Sequence, residues 1–169
     1  IEHKDANEEQ KKINEINTGI MCVPAELLKH WLPKIKNDNV QNEYYLTDII
    51  AMAASDNVTI NTMQPDELYE IEGVNDRKQL ANLERKFQRN LANQLMADGA
   101  TLADPTRIDI RGSLKIGRDT FIDVNTVFEG DVVLEEGVII GPNSFIKDAH
   151  ISSGTEIYSN TVIESARVG

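Results

Sequence analysis

An aliphatic side chain recurs every sixth place along the last third of the chain, and few folds tolerate that period. Ile110, Ile116, Ile122, Phe128 (the one aromatic), Leu134, Ile140 and Ile146 stand six apart, and Ile151, Ile157, Ile163 and Val168 continue the series. Four places after most of them comes a small or β-branched residue: Thr120, Thr126, Val132, Val138, Ser144, Thr155 and Thr161. Gly follows the aliphatic at Gly117, Gly141 and Gly169. An amphipathic helix repeats at three to four, and a half-buried strand alternates at two over about 4 to 8 residues, so neither fits. A parallel β-helix does: each hexad is one short strand, each corner takes a compact residue, and each aliphatic stacks on its counterpart one coil away. Strands on successive coils then lie about 4.8 Å apart. Two hexads have five residues, Ile146 to His150 and Ile163 to Arg167, and they begin 17 positions apart. The same corner is thus shortened in successive coils, which predicts three faces per coil. The other reading of the pattern is an all-β domain of short strands and frequent turns.

These hexads resemble the repeats of acyltransferases that fold as left-handed β-helices. The left hand is implied by that resemblance, because crossovers between parallel strands are otherwise right-handed in about 98% of cases.

Composition narrows the function classes. The 169 residues suffice for one or two domains, and 40% hydrophobic content can fill a core. A formal charge of -11 argues against nucleic acid or an anionic membrane as partner, since both require a basic face. No stretch approaches 18 consecutive apolar residues, and no charged start leads into an apolar run as in a signal peptide. Cys22 is the only cysteine, so disulfides and thiolate metal clusters are excluded and the cytoplasm is the expected compartment. His3, His30 and His150 are too scattered to suggest a metal site or a catalytic triad. The chain starts at Ile1 and stops at Gly169 within a new hexad. Repeat arrays need caps, so it reads as a piece of a longer polypeptide.

Before the hexads the pattern is mixed. Residues 13–23 crowd apolar side chains towards Pro24, as in a buried strand. Pro24 then opens a helix carrying Leu27, Leu28, Trp31, Leu32 and Ile35. An Asn-rich turn over residues 37–42 precedes a second helix through Thr47, Asp48, Ile49, Ile50, Met52 and Ala53. Val58 to Met63 and Glu70 to Val74 read as strands, giving an α/β layer with too few strands for a complete sheet. Asp76 and Gln79 have capping-box spacing. They start a helix of roughly 22 residues, about 33 Å long, the length of an arm between domains. Its predicted apolar stripe is Leu80, Leu83, Phe87, Leu91 and Leu95, and Gly99 stops it. Asp104-Pro105 marks a turn before the hexads.

An α/β segment, a long helix and a hexad array, in that order, resemble one family: the bacterial bifunctional enzymes that are N-acetylglucosamine-1-phosphate uridyltransferases at one end and glucosamine-1-phosphate acetyltransferases at the other. The strings similar to that family are residues 2–6 (EHKDA), 15–20 (EINTGI), 43–50 (EYYLTDII) and 72–77 (EGVNDR). The fold implied is part of a Rossmann-like α/β nucleotidyltransferase domain at 1–74, a linking helix and turn at 75–104, and the first coils of a left-handed β-helix at 105–169.

The resemblance implies roles residue by residue. Glu2 and Asn17 match positions that hydrogen-bond the N-acetylglucosamine moiety of UDP-N-acetylglucosamine, and Tyr45 and Thr47 stand in the string lining that sugar pocket. Asn75 matches a residue that contacts the nucleotide sugar and the catalytic Mg²⁺. The residue types suit these roles, since amides and hydroxyls orient a polyhydroxylated ligand, a carboxylate accepts from its hydroxyls, and Mg²⁺ prefers oxygen ligands. Without the strings, Asn17 reads as a turn residue, Asn75 as a helix cap, Glu2 as a solvated charge and Tyr45 as core.

Further expectations follow from the same resemblance. The family's Gly-rich phosphate loop and Mg²⁺-binding Asp belong before Ile1, and its acetyltransferase His base and basic residues belong beyond Gly169. This chain is therefore expected to hold no catalytic residue and to be inactive by itself, with His150 structural or solvent-exposed. The implied whole protein acetylates glucosamine-1-phosphate with acetyl-CoA and joins the resulting N-acetylglucosamine-1-phosphate to UTP, supplying peptidoglycan and lipopolysaccharide precursors. A homotrimer through the β-helix is also implied. The alternatives are another sugar-1-phosphate nucleotidyltransferase with hexads, of the ADP-glucose or mannose-1-phosphate kind, and a non-catalytic trimerising scaffold.

Overall fold

The computed structural model describes residues 4–169 and divides into two units, Ile1–Ile71 and Glu72–Gly169. The long helix belongs to the second.

In the first unit, Pro24 takes the N-cap position (φ -55°, ψ 130°) of α1 (Ala25–Trp31), one place before the first helical residue. Pro33 lacks the N–H needed to continue the helix, so the chain tightens into a 3-10 turn over Leu32–Lys34. A 3-10 turn over Leu46–Asp48 leads into α2 (Ile49–Ser55). Trp31, Ile49 and Ala53 form the buried centre, with Val23, Leu27, Leu28, Ile35, Met52 and Val58 among the side chains against it. The Trp31 indole N–H donates to Asp56 Oδ2 at 2.8 Å, so the buried ring keeps its polar group paired.

The α/β layer expected here is not found among the described residues. Residues 13–23 and 58–63 carry no strand, and neither does the stretch expected from Glu70 to Val74, whose first two residues lie in a 3-10 turn over Leu68–Ile71. Apolar clustering establishes a preference for burial, but a strand also requires a neighbouring backbone for its N–H and C=O groups. Among the described residues these segments pair with no strand, and Ile13, Ile16, Ile20 and Met63 are exposed.

The second unit begins with α3 (Arg77–Ala97). Asp76 caps it by accepting from the Gln79 N–H at 2.7 Å, and the Gln79 side chain reaches back to the Asn75 N–H at 2.7 Å, one residue beyond the usual capping-box partner. At the other end Gly99 (φ +106°) adopts the left-handed conformation, Ala100 N–H bonds Leu95 O, and Gly99 N–H bonds Met96 O. This is a Schellman motif, accompanied by the burial of Leu95 and Ala100. The predicted stripe is displaced. Leu80 and Phe87 are exposed, Leu83 and Leu91 are partly buried, and the buried seam runs through Gln88, Ala92 and Leu95.

Beyond α3 the chain winds as a parallel β-solenoid with three faces per coil. The first face stacks β1 (Thr101–Leu102), β3 (Phe121–Ile122), β5 (Ile139–Ile140) and β8 (Glu156–Ile157). The second and third faces are joined in the early coils, where β2 (Ile108–Ile116) and β4 (Thr126–Leu134) each run around a corner. The second face continues with β6 (Phe145–Lys147) and β9 (Val162–Glu164), the third with β7 (His150–Ile151) and β10 (Arg167–Val168). Register proceeds by 18 residues, as in Ile110↔Phe128↔Ile146, and drops to 17 in Ile146↔Ile163. The expected inward stack is present: Ile110, Ile122, Phe128, Leu134, Ile140, Ile146, Ile151, Ile157 and Ile163 are buried, while the outermost members Ile116 and Val168 are partly so. Each buried Ile or Leu stabilises the fold by roughly 1.5–3 kcal/mol.

The corners explain the compact residues. Thr120, Thr126, Ser144 and Thr161 donate their hydroxyls to the carbonyls of Gly117, Asp123, Gly141 and Tyr158, each three residues back, at 2.7–2.8 Å. A left-handed residue precedes each: Asp119, Asn125, Asn143 and Asn160 have φ between 57° and 60°. Asn and Asp adopt this conformation more readily than other non-Gly residues. At Gly117 the constraint is space, since a Cβ there would lie 2.3 Å from the Glu136 backbone N of the next coil. The shortened corner also lies where the five-residue hexads place it. Gly112 and Gly130 turn the third corner in the first two coils, and Asp148 (φ 45°) and Ser165 (φ 48°) turn it in the next two with one residue fewer.

Candidate functional site

The sequence-predicted ligand positions divide between the units. Glu2 lies outside the described residues. Asn17 is exposed in the stretch between Ile13 and Pro24, and its side-chain oxygen accepts from the Gly19 N–H at 2.8 Å, closing an Asx turn at a glycine with φ +80°. Thr18 Oγ1 accepts from the Ile20 N–H in the same manner at 3.3 Å. The tandem turns bring Asn17 to the surface of a segment without regular structure.

Tyr45 and Thr47 flank Leu46 at the entry to α2, both partly buried. The Tyr45 hydroxyl accepts from Gln41 Nε2 at 2.8 Å, and Gln41 Oε1 accepts from Lys4 Nζ at 2.5 Å. Asp5 Oδ1 accepts from the Val40 N–H at 3.0 Å. Asn39 organises the intervening turn: its side-chain oxygen receives the N–H groups of Gln41 and Glu43, and its amide donates to Glu43 O. Thus the residues after Glu2 are fastened to the turn before Tyr45. Asp5 Oδ2 is buried without a partner among the described residues, the one such side-chain atom there.

No sequence pattern singles out Lys4, Asp5 or Gln41. The first two stand in the string around Glu2, but that string alone cannot show that a lysine and a glutamine across a 37-residue gap would share a hydrogen bond.

Asn75 belongs to the second unit, exposed at the approach to α3, where its backbone N–H is held by Gln79 Oε1. As a cation ligand it offers one neutral carboxamide oxygen. Among the described residues no three His, Cys, Asp or Glu side chains are grouped to hold a metal ion. These residues alone do not fit a Mg²⁺ centre, which wants carboxylate or phosphate oxygens in near-octahedral array.

The solenoid carries one polar cluster that sequence reading located only in part. His150, on β7, bonds Glu135 at 2.6 Å, and the other Glu135 oxygen accepts from the Ser153 N–H at 3.0 Å and its hydroxyl at 3.1 Å. The His150 hydrogen bond first, and the two from Ser153 next, hold the Glu135 carboxyl down to about 2. An open depression of about 430 Å³ adjoins the cluster, bordered by Asp131, Asp148, His150 and Ser165. Here Glu135 is the hub, so His150 is not lined up between a hydroxyl and a carboxylate as a general base for nucleophilic attack would be. The arrangement fastens adjacent coils along β7 and just past its end on the third face.

Comparison with known proteins agrees with this architecture. Residues 113–148 match the bacterial transferase hexapeptide (six repeats) family, which together with the three-faced parallel coil supports a left-handed β-helix. The whole chain is 56% identical to the Bifunctional protein GlmU of Marinobacter nauticus. It is 52% identical to that of Acinetobacter baylyi and 55% to that of Ralstonia pickettii, again over all 169 residues. In each case it spans 37% of the relative's length. The resemblance read from the four strings and the hexads therefore holds along the entire chain. Among the described residues no helix is long and apolar enough to cross a membrane.

Proposed function

We propose that the chain is part of a cytoplasmic bifunctional enzyme that makes UDP-N-acetylglucosamine. The whole enzyme would acetylate glucosamine-1-phosphate with acetyl-CoA and then transfer uridyl from UTP to the product, releasing pyrophosphate. The observation that carries this reading is the 56% identity along all 169 residues, through both the hexads and the segment before α3. A likeness confined to the hexads would suit any acyltransferase of this shape; one extending to residues 4–71 favours a partner domain of the sugar-nucleotide kind.

Within this reading Glu2, Asn17, Tyr45, Thr47 and Asn75 are sugar-nucleotide contacts. Asn17 presents its carboxamide on a turn fixed through its own oxygen, leaving the amide to donate. Tyr45 and Thr47 offer hydroxyls from a helix entry braced by Gln41. Such groups orient hydroxyl-rich ligands without adding charge. Asn75 would add one neutral oxygen to a Mg²⁺ ion whose other ligands the described residues do not provide.

The solenoid would assemble as a homotrimer. Support comes from the second face, where Val127, Phe145 and Val162 stand in register on the outside and Val162 is 68% exposed. By itself the chain would be inactive. The full-length protein should show both acetyl transfer and UTP-specific uridyl transfer, and this chain neither. A full-length protein that prefers ATP or GTP would favour the other nucleotidyltransferases, and one with no transfer at all would favour a scaffold.

A further inference from the structure

Backbone polarity along the solenoid follows a rule. Outward-facing residues donate to the next coil, as Val127 N–H does to Ser144 O and Val133 N–H to Ala149 O, so the groups of inward-facing residues look back to the preceding coil. In the first coil nothing precedes. β2 pairs with β4 on one side only, which leaves a row of unpaired N–H and C=O groups on the other, the surface on which strands add to strands.

Helix α3 covers that row at Ile110, and it does so with a polar residue, Gln88, that is 4% exposed. Gln88 Nε2 donates to Ile110 O at 2.7 Å, and Gln88 Oε1 accepts from the Ile110 N–H at 2.8 Å. The second amide hydrogen goes to Glu84 Oε1 at 2.9 Å, which fixes which way round the carboxamide sits. One helical turn away Arg85 bonds Asp109 at 2.6 Å. Fully buried Ala92 keeps the helix close to the strand.

We propose that α3 acts as a surrogate strand: Gln88 occupies the open edge of β2 and so prevents the first coil from pairing with an extended segment of a second copy of this chain. The occupant excluded is another copy because β2 is already in register with its own repeats, and an equivalent strand from a second molecule carries the same alternation of inward aliphatics and outward polar groups. Replacing Gln88 by a nonpolar residue would leave the buried Ile110 groups without partners and offer them to the first strand that fits.

The test is Gln88→Met in the whole chain, which keeps the side-chain volume and removes both hydrogen bonds. Amide hydrogen exchange at Ile110 should accelerate by tenfold or more while Ile140 and Ile157 are unchanged. Sedimentation should reveal species heavier than the parent's that grow with concentration. Unchanged exchange at Ile110, or a sedimentation profile equal to the parent's, would overturn the proposal. If Gln88→Met does not fold, Gln88→Asn shortens the side chain by one methylene and is read by the same two measurements. A Glu84→Ala control leaves the Ile110 pairing in place and should not associate.

Discussion

Asn125 donates its side-chain amide to the side-chain oxygen of Asn143 at 3.0 Å, across one coil, while both backbones hold the left-handed conformation (φ 58° and 60°). Asn143 repeats the gesture towards Asn160 at 3.4 Å. One residue type thus meets two demands at the second corner: a backbone shape that most side chains resist, and a hydrogen bond between coils.

The two demands can be separated. Asn143→Ala loses the ladder and meets the left-handed penalty, so it should destabilise the second unit by about 1–3 kcal/mol. Asn143→Gly loses the ladder alone and should cost clearly less. Urea unfolding of both variants checks this, and equal costs would mean that backbone shape contributes nothing at this corner.

On α3, burial distinguishes two residues that the apolar stripe treats alike. Leu95 is 6% exposed and Phe87 49%. Leu95→Ala should cost about 2–5 kcal/mol, whereas Phe87→Ala should stay within about 0.5 kcal/mol. Thermal unfolding that ranks them the other way would put the packed seam on the wrong face.

Acid should loosen the far end of the third face through Glu135. Its carboxyl titrates at about 2 in the folded protein rather than 4.5. Because the folded value is depressed, the stabilisation is complete above pH 4.5 and is lost as pH falls from 4.5 through about 2. Melting temperature recorded over that window should fall more steeply for the parent than for Glu135→Gln. Parallel profiles would show that the His150 and Ser153 contacts do not persist in solution.

If the proposed function holds, Asn75→Ala in the full-length protein should reduce uridyl transfer about tenfold or more, the scale of one lost hydrogen bond to a charged group. Acetyl transfer should be spared. Separate assays of the two reactions decide it, and equal loss of both would contradict the role given to Asn75.

The solenoid was legible because its physics is local and repeated. Each hexad contains its own inward aliphatic and its own corner, as Ile140 and Ser144 illustrate, and stacking adds neighbours of the same kind. Even the shortened corner could be read from the spacing of Ile146, Ile151, Ile163 and Val168. The segment before α3 was less legible. Residues 13–23 carry an apolar pattern, yet pairing depends on a neighbour that the pattern does not contain. Gln88 is illegible in the sequence for the opposite reason. A glutamine on a charged helix carries no periodic signal, and its partners are backbone atoms 22 residues on. In the candidate site the strings marked Tyr45 and Asn17, but the brace from Lys4 through Gln41 arises only when the chain folds back on itself.

The third corner accommodates either Gly112 and Gly130 within continuous strands or Asp148 and Ser165 with one residue fewer, and the inward columns stay aligned in both cases. The coil therefore absorbs a change of length there without disturbing the rest of its circumference. A foreign loop grafted beside Asp148 would leave the stacked isoleucines undisturbed, which makes this edge the natural place to mount an epitope or a tag on the scaffold.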